Sequence, residues 1–385
     1  MIVKLLRAPR LLSKCVVRNF SAVEPVVNLN ERKVFAKRAE TNDPAAHSEN
    51  DIGKFYTVSK EDNKKIFSFY EFPEQFERNI KTFNECAFMI REPALEIINS
   101  LKTLDPTKPI LKFVIYGRFG QGKSLTVCHI CHFAHRAGWI LCYVPTSSLW
   151  MRWSKEVSFS ETKPESVNIP LESAQWLKNF KIQNADLISK LDFRVRDKIV
   201  WSARETTEKD APLVELIDHG INRVKYAADV ADVLIEHIKL YSTEQRCKTL
   251  VAIEGFNGFF NPKSVLKAPD KTPVPPQRVT IMQSLMKLTQ ADWSNAVAVL
   301  TVDTKNAYPD NREFVFPLYL LQKEGFEHLD PFIPVYVPPL NTKEVNNLLD
   351  YYEEKKWLLK PQGRAEIEFL STRNPYHIAE LCGPL

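Results

Sequence analysis

The stretch LKFVIYGRFGQGKSLTVCHICHFAHRAG, residues 111 to 138, decides the fold. Its first six residues, Leu111 to Tyr116, are rich in β-branched and aromatic side chains and read as a buried parallel strand. Gly117, Gly122, Lys123 and Ser124 then fit the spacing G-x-x-x-x-G-K-[ST]. From Ser124 to Ala137 there is no Gly or Pro before Gly138, which suits a helix closed by a glycine. Strand, glycine loop and helix together form the context in which that spacing makes chemical sense. Glycines let backbone N–H groups converge on phosphate oxygens, and the helix N-terminus adds positive potential. The residues expected to cradle phosphates are Gly117, Arg118, Phe119, Gly120, Gln121, Gly122, Lys123, Ser124 and Leu125. Within this set Lys123 reaches the β/γ-phosphates and the Ser124 hydroxyl joins a Mg²⁺ shell.

The same stretch offers a rival, because Cys128, Cys131 and His132 fit C-x-x-C-H, the haem-attachment spacing. On a helix Cys128 and His132 fall one turn apart, as do Cys131 and His135, which also invites a metal reading. A helix that follows a phosphate loop packs against its sheet, however, and free Cys is among the most buried residue types. No second Cys pair stands at metal-ligand spacing elsewhere. We therefore expect these residues to be core, with no haem.

A phosphate loop needs an acidic residue at another strand end to hold Mg²⁺, usually through water. Glu254, after the apolar run TLVAI, is the acid that fits. Further strands are expected at Trp139–Val144, Lys248–Gly255, Ala296–Thr304 and Pro334–Val337, giving an α/β fold with a parallel sheet. Thr301 and Asp303, at the end of the fourth strand, are candidate sensors of the γ-phosphate. The nucleotide-binding domain spans 85–338, interrupted by a helical insertion at about 145–246 with no convincing strand. One long helix is expected there across GINRVKYAADVADVLIEHIKLY. Residues 339–385 form a small helical lid, opened by a capping box at Asn341 and Glu344 and closed by a helix started by Pro375.

Residues 1–20 carry Lys4, Arg7, Arg10, Lys14 and Arg18 and no acid, with the basic positions recurring every three or four residues. Arg-rich, acid-free and amphipathic describes a mitochondrial transit peptide, with cleavage expected after Phe20; Pro9 interrupts its helix. Of 52 basic and 47 acidic residues, setting these five aside leaves 47 against 47. A neutral body argues against general nucleic-acid binding, so RNA contacts would come from local patches. Candidates are Lys33, Lys37 and Arg38, or Trp176 with Lys178 and Lys181. Residues 21–84 show weak periodicity and read as an extended arm with little core of its own. Seven scattered cysteines suggest no disulfide framework, and no apolar run approaches membrane-span length.

The order of parts, with REPALE before the first strand and PPLNTKEVNNLL after the fifth, resembles the AAA+/STAND branch of P-loop NTPases. That resemblance implies a base pocket near the first helix, with Ile90 and Arg91 as candidates. It also implies a lid residue near RNP; there Arg373 is read as facing solvent and not as a phosphate sensor. Longer strings are more specific. DPAAHSENDIGKFYTVS, KTFNECAFMIREPALEII, VWSARETTEKDAPL, LVAIEGFNGFF and KEGFEHLDPFIPV resemble the death-associated protein three family, GTP-binding proteins of the mitochondrial ribosomal small subunit. The resemblance implies a matrix protein in the small-subunit head, contacting ribosomal RNA, neighbouring proteins and an intersubunit bridge. It implies GTP or GDP with Mg²⁺, although no N-K-x-D guanine motif is present, and the family name carries a link to apoptosis. The family has Asp where this chain has Glu254. In the wider branch the metal-binding acid is followed by a Glu that polarises water; here Gly255 follows, so hydrolysis is expected to be slow or absent. A free matrix AAA+/STAND-type NTPase and a nucleotide-dependent signalling switch fit the same motifs.

Overall fold

In the computed structural model the apolar runs become a five-stranded sheet: β1 (Leu111–Tyr116), β2 (Ile140–Val144), β3 (Thr249–Ile253), β4 (Ala296–Thr301) and β5 (Ile333–Tyr336). The structure describes residues 34–385 apart from 69–71, 146, 262–264, 308–312, 359 and 384–385, so the expected targeting segment lies outside the described residues. The strand order is 5-1-4-3-2 and every pairing is parallel. All residues of β2, β3 and β4 are buried, as unbroken apolar runs in a sheet covered on both faces must be. β5 lies at an edge, where its mostly exposed residues and Pro334 are tolerated.

Parallel register sets up the site. Val299 pairs with Phe113, Leu300 with Ile253, and Ile253 with Val144, so the C-terminal ends of β1 to β4 lie in a row. The glycine loop, Glu254 and Asp303 all leave the sheet from that row. One sheet face packs on the insertion helices Pro170–Leu191 and Ala227–Thr243. The other packs on Glu92–Lys102 and the loop helix Lys123–Arg136.

Three features differ from the sequence reading. Within 21–84, the described part is folded and not an extended arm: Phe55–Thr57 pairs antiparallel with Ala87–Met89, helix Lys60–Phe67 follows, and Tyr56, Val58, Ile66 and Phe67 are buried. A three-residue strand and an eight-residue helix are too short to leave a readable period. The long helix expected over 220–241 is two, Leu213–Asn222 and Ala227–Thr243, separated by a 3₁₀ turn at Val224–Tyr226. The insertion also carries two short antiparallel ribbons, Ser158–Phe159 with Val167–Asn168 and Ile199–Ser202 with Glu205–Thr207.

The lid begins as expected. The Asn341 side chain accepts the Glu344 N–H at 2.9 Å and the Glu344 carboxylate accepts the Asn341 N–H at 2.9 Å. Helix Thr342–Glu354 buries Val345, Leu348, Leu349, Tyr351 and Tyr352, in a cluster shared with Ala36, Phe55 and Ala87 of the N-terminal segment.

Candidate nucleotide site

Lys123 is the first residue of the loop helix and is buried. Its ammonium donates to the carbonyls of Gly117 at 3.1 Å and Arg118 at 3.2 Å, and pairs with Asp303 at 3.0 Å. A buried ammonium carries three donors, and here all three have acceptors. Beside it the Ser124 hydroxyl donates to Glu254 Oε2 at 2.6 Å. The other carboxylate oxygen, Oε1, accepts the Tyr143 hydroxyl at 2.9 Å, and Ser147 donates to the Glu254 carbonyl at 2.7 Å. Residues 130 positions apart in sequence thus meet because β1 and β3 run parallel and end at the same edge of the sheet. Asn257 brackets Asp303, accepting its N–H and donating to its carbonyl, both at 2.9 Å.

The loop is tied to the lid mainly through main-chain atoms. Asn374 donates to the Phe119 carbonyl at 2.8 Å, and the Tyr376 N–H donates to the Gly120 carbonyl at 3.3 Å. Gly120 has φ +82°, and a Cβ there would stand 2.6 Å from Asn374 Oδ1 and 2.7 Å from Tyr376 Cβ. Glycine is needed both for that backbone and for the close approach. Gln121 Oε1 accepts the Arg118 N–H at 2.7 Å and steadies the bend.

Arg91 spans the joint. It donates to the Gln121 carbonyl at 2.8 Å, the Pro338 carbonyl at 2.9 Å and the Glu344 carboxylate at 3.2 Å, with both partners of the ion pair buried. A cavity of about 430 Å³ opens beside the loop, within the range of small-molecule sites. Its walls include the loop from Phe119 to Thr126, Arg91, Met89 and Phe55, with Leu348 and Tyr352 from the lid.

The candidates separate by position. Ser124 with Glu254, and Lys123 with Asp303, are brought together. Arg91 lines the cavity, while Ile90 is fully buried in the core beneath it and is not in the cavity lining. Adjacent side chains on an extended segment point to opposite faces, so the pair divides between pocket and core. Thr301 is buried, and its oxygen accepts the Gly255 N–H at 2.9 Å. Arg373 is half-exposed and pairs with Glu368 at 2.7 Å.

The cysteines and histidines of the loop helix are packing. Cys128, Cys131, His129 and His132 are buried, and burial pushes both thiols well up and both imidazoles down, His132 to about 4. Among the described residues no group of three or more His, Cys, Asp or Glu is placed to hold a metal. Among the basic-patch candidates Trp176 is buried in the core, Lys181 pairs with Asp218, and Arg38 pairs with Glu354 at 2.8 Å. Tyr143 joins the site through Glu254, although nothing in its apolar strand sets it apart from its neighbours in sequence.

A parallel sheet whose first strand runs into a glycine loop, with Lys123 and Ser124 opening a helix and met by acids at the ends of two other strands, defines a P-loop NTPase-like α/β protein. Comparison with known proteins narrows the class. Residues 88–381 match the family described as mitochondrial ribosomal death-associated protein 3. The small ribosomal subunit protein mS29 of Bos taurus is 36% identical over 371 residues, covering 94% of this chain and 92% of that protein. The mS29 of Mus musculus is 34% identical over 360 residues, covering 92% and 91%. The chain belongs to the mitochondrial ribosomal death-associated protein 3 family.

Proposed function

We propose that this chain is a structural component of the mitochondrial small ribosomal subunit that holds a guanine nucleotide with Mg²⁺ and turns it over slowly or not at all. The ribosomal part is supported by the near-full-length similarity to two mS29 proteins. On this reading the protein lies in the matrix, in the subunit head, against ribosomal RNA, neighbouring proteins and an intersubunit bridge. A part in cell death rests on the family's name alone.

One observation carries the nucleotide part: Lys123 and Ser124 line a cavity walled in part by the lid, with Asp303 paired to the first and Glu254 hydrogen-bonded to the second. A hydroxyl and a carboxylate are hard oxygen donors of the kind Mg²⁺ prefers, so the residues present fit the ion. Ser124 and Glu254 would hold it, and bound there it would neutralise charge on the phosphate oxygens. Lys123 would exchange its loop carbonyls and Asp303 for phosphate oxygens. Main-chain N–H groups from Gly120 to Ser124 would orient the phosphates, and the lid would shield them from water. Guanine as the base rests on the family resemblance.

Slow turnover is supported by Gly255. It has φ +69°, and a Cβ there would stand 2.5 Å from Asn306 Nδ2. The left-handed backbone disfavours any side chain there, and a Glu beside Glu254 would also have to displace the Asn306 amide. Mass-spectrometric identification of the nucleotide in purified small subunits tests the assignment, together with co-sedimentation of the chain. An adenine nucleotide, or a chain that stays free of the subunit, would favour the matrix ATPase or the signalling switch. Single-turnover hydrolysis near the ordinary enzyme median of about 10 per second would make it an enzyme.

A further inference from the structure

We infer that Tyr143 is a positioning residue for the carboxylate that holds the metal, an inference that rests on the nucleotide–Mg²⁺ reading of the site. The Glu254 side chain has three rotatable bonds, so its carboxylate needs an anchor to keep one orientation. The sheet supplies one. Tyr143 pairs with Ala252 across β2 and β3, and Glu254 lies two residues beyond Ala252, so Tyr143 and Glu254 are diagonal neighbours on the same face. Ala252 is small enough to let the Tyr143 ring lie along the strand toward Glu254. That ring is buried, with Phe67 edge-on at 6.4 Å and Cys128 Sγ at 3.8 Å from its hydroxyl.

The hydroxyl donates to Oε1 at 2.9 Å, which leaves Oε2 to accept the Ser124 proton at 2.6 Å. With its proton directed into the carboxylate, the Ser124 oxygen keeps its lone pairs free to face a cation, which it would help hold. Tyr143 does not line the cavity. It acts through Glu254, and Glu254 through Ser124.

The test is Tyr143→Phe, which removes one oxygen and keeps the ring. Binding of GDP to the purified full-length chain is titrated with Mg²⁺ and, separately, in EDTA. We expect unchanged GDP affinity in EDTA, an unchanged unfolding temperature without ligand to within about 3 °C, and a Mg²⁺ midpoint raised about tenfold. Cys128→Ala, which removes only the weak sulfur contact, should leave the midpoint in place. A Tyr143→Phe midpoint equal to wild type overturns the inference while leaving the nucleotide site standing. Equal loss of affinity in EDTA and in Mg²⁺ overturns it too, because a general packing defect would explain that result. If wild-type binding does not respond to Mg²⁺, the metal reading fails and the inference with it.

Discussion

The two ends of helix Lys123–Arg136 use similar residue types for opposite ends. In its first turn Lys123 and Ser124 are tied by ion pair and hydrogen bond to acids delivered by other strands, beside a cavity. In the turns that follow, Cys128, His129, Cys131 and His132 face the sheet and the N-terminal segment. There burial has little to oppose it, and it drives the side chains to their neutral forms. Chemistry on this helix is decided by what comes to meet each side chain. The reactive-looking residues are the buried, neutral ones.

That contrast can be broken at the polar end first. Arg91→Ala removes the clamp on Gln121, Pro338 and Glu344 and leaves a buried carboxylate without its cation. Loss of one partner of such a pair costs about 3–5 kcal/mol. Chemical denaturation should show that loss, and the lid should become protease-sensitive. An unchanged midpoint would mean that the loop and the lid are not coupled through Arg91.

Lys123→Ala comes next. It removes a charge-assisted contact worth about 1.5–3 kcal/mol, so nucleotide affinity should fall roughly ten- to hundredfold. An Ala variant that copurifies with a full complement of nucleotide would place the site elsewhere.

The apolar end predicts a pH effect. His47, His129 and His132 are held below the ordinary histidine value chiefly by burial, against which Asp62 pulls at His132. As pH falls the unfolded chain takes up protons before the folded one does. The stability these groups support is therefore complete above about pH 6.5 and is lost as pH falls toward the His132 value of about 4. Urea midpoints measured across that window should fall with pH, and His132→Gln should flatten part of the slope. A flat wild-type profile would contradict neutral burial of these rings.

The smallest expected effect is the sharpest control. Cys128→Ser together with Cys131→Ser should leave nucleotide affinity within about twofold of wild type, less than 0.5 kcal/mol. A large loss in binding would return a chemical role to the cysteines.

The sequence was legible wherever one residue's chemistry matched its own surroundings. Unbroken apolar runs became β2, β3 and β4, the Gly-Lys-Ser spacing became the loop, and Asn341 with Glu344 became a cap. It was illegible where elements were short, as between Phe55 and Phe67, or where one residue in an apolar strand had a second task, as at Tyr143. Most hidden were the loop-to-lid contacts. They use the carbonyls of Phe119, Gly120, Gln121 and Pro338, groups that every residue owns and no composition reveals. Trp176 misled for a related reason, since an aromatic residue beside lysines suits both a stacking surface and the core it occupies.

Gly255 carries a consequence for supply. On the proposed reading, with no water-activating side chain at position 255, a bound nucleotide would be taken up once per particle and not once per cycle. Demand for it would then scale with the number of subunits being built. On the proposed reading, starving the organelle of guanine nucleotide would thin out new ribosomes through this chain while those already assembled kept theirs.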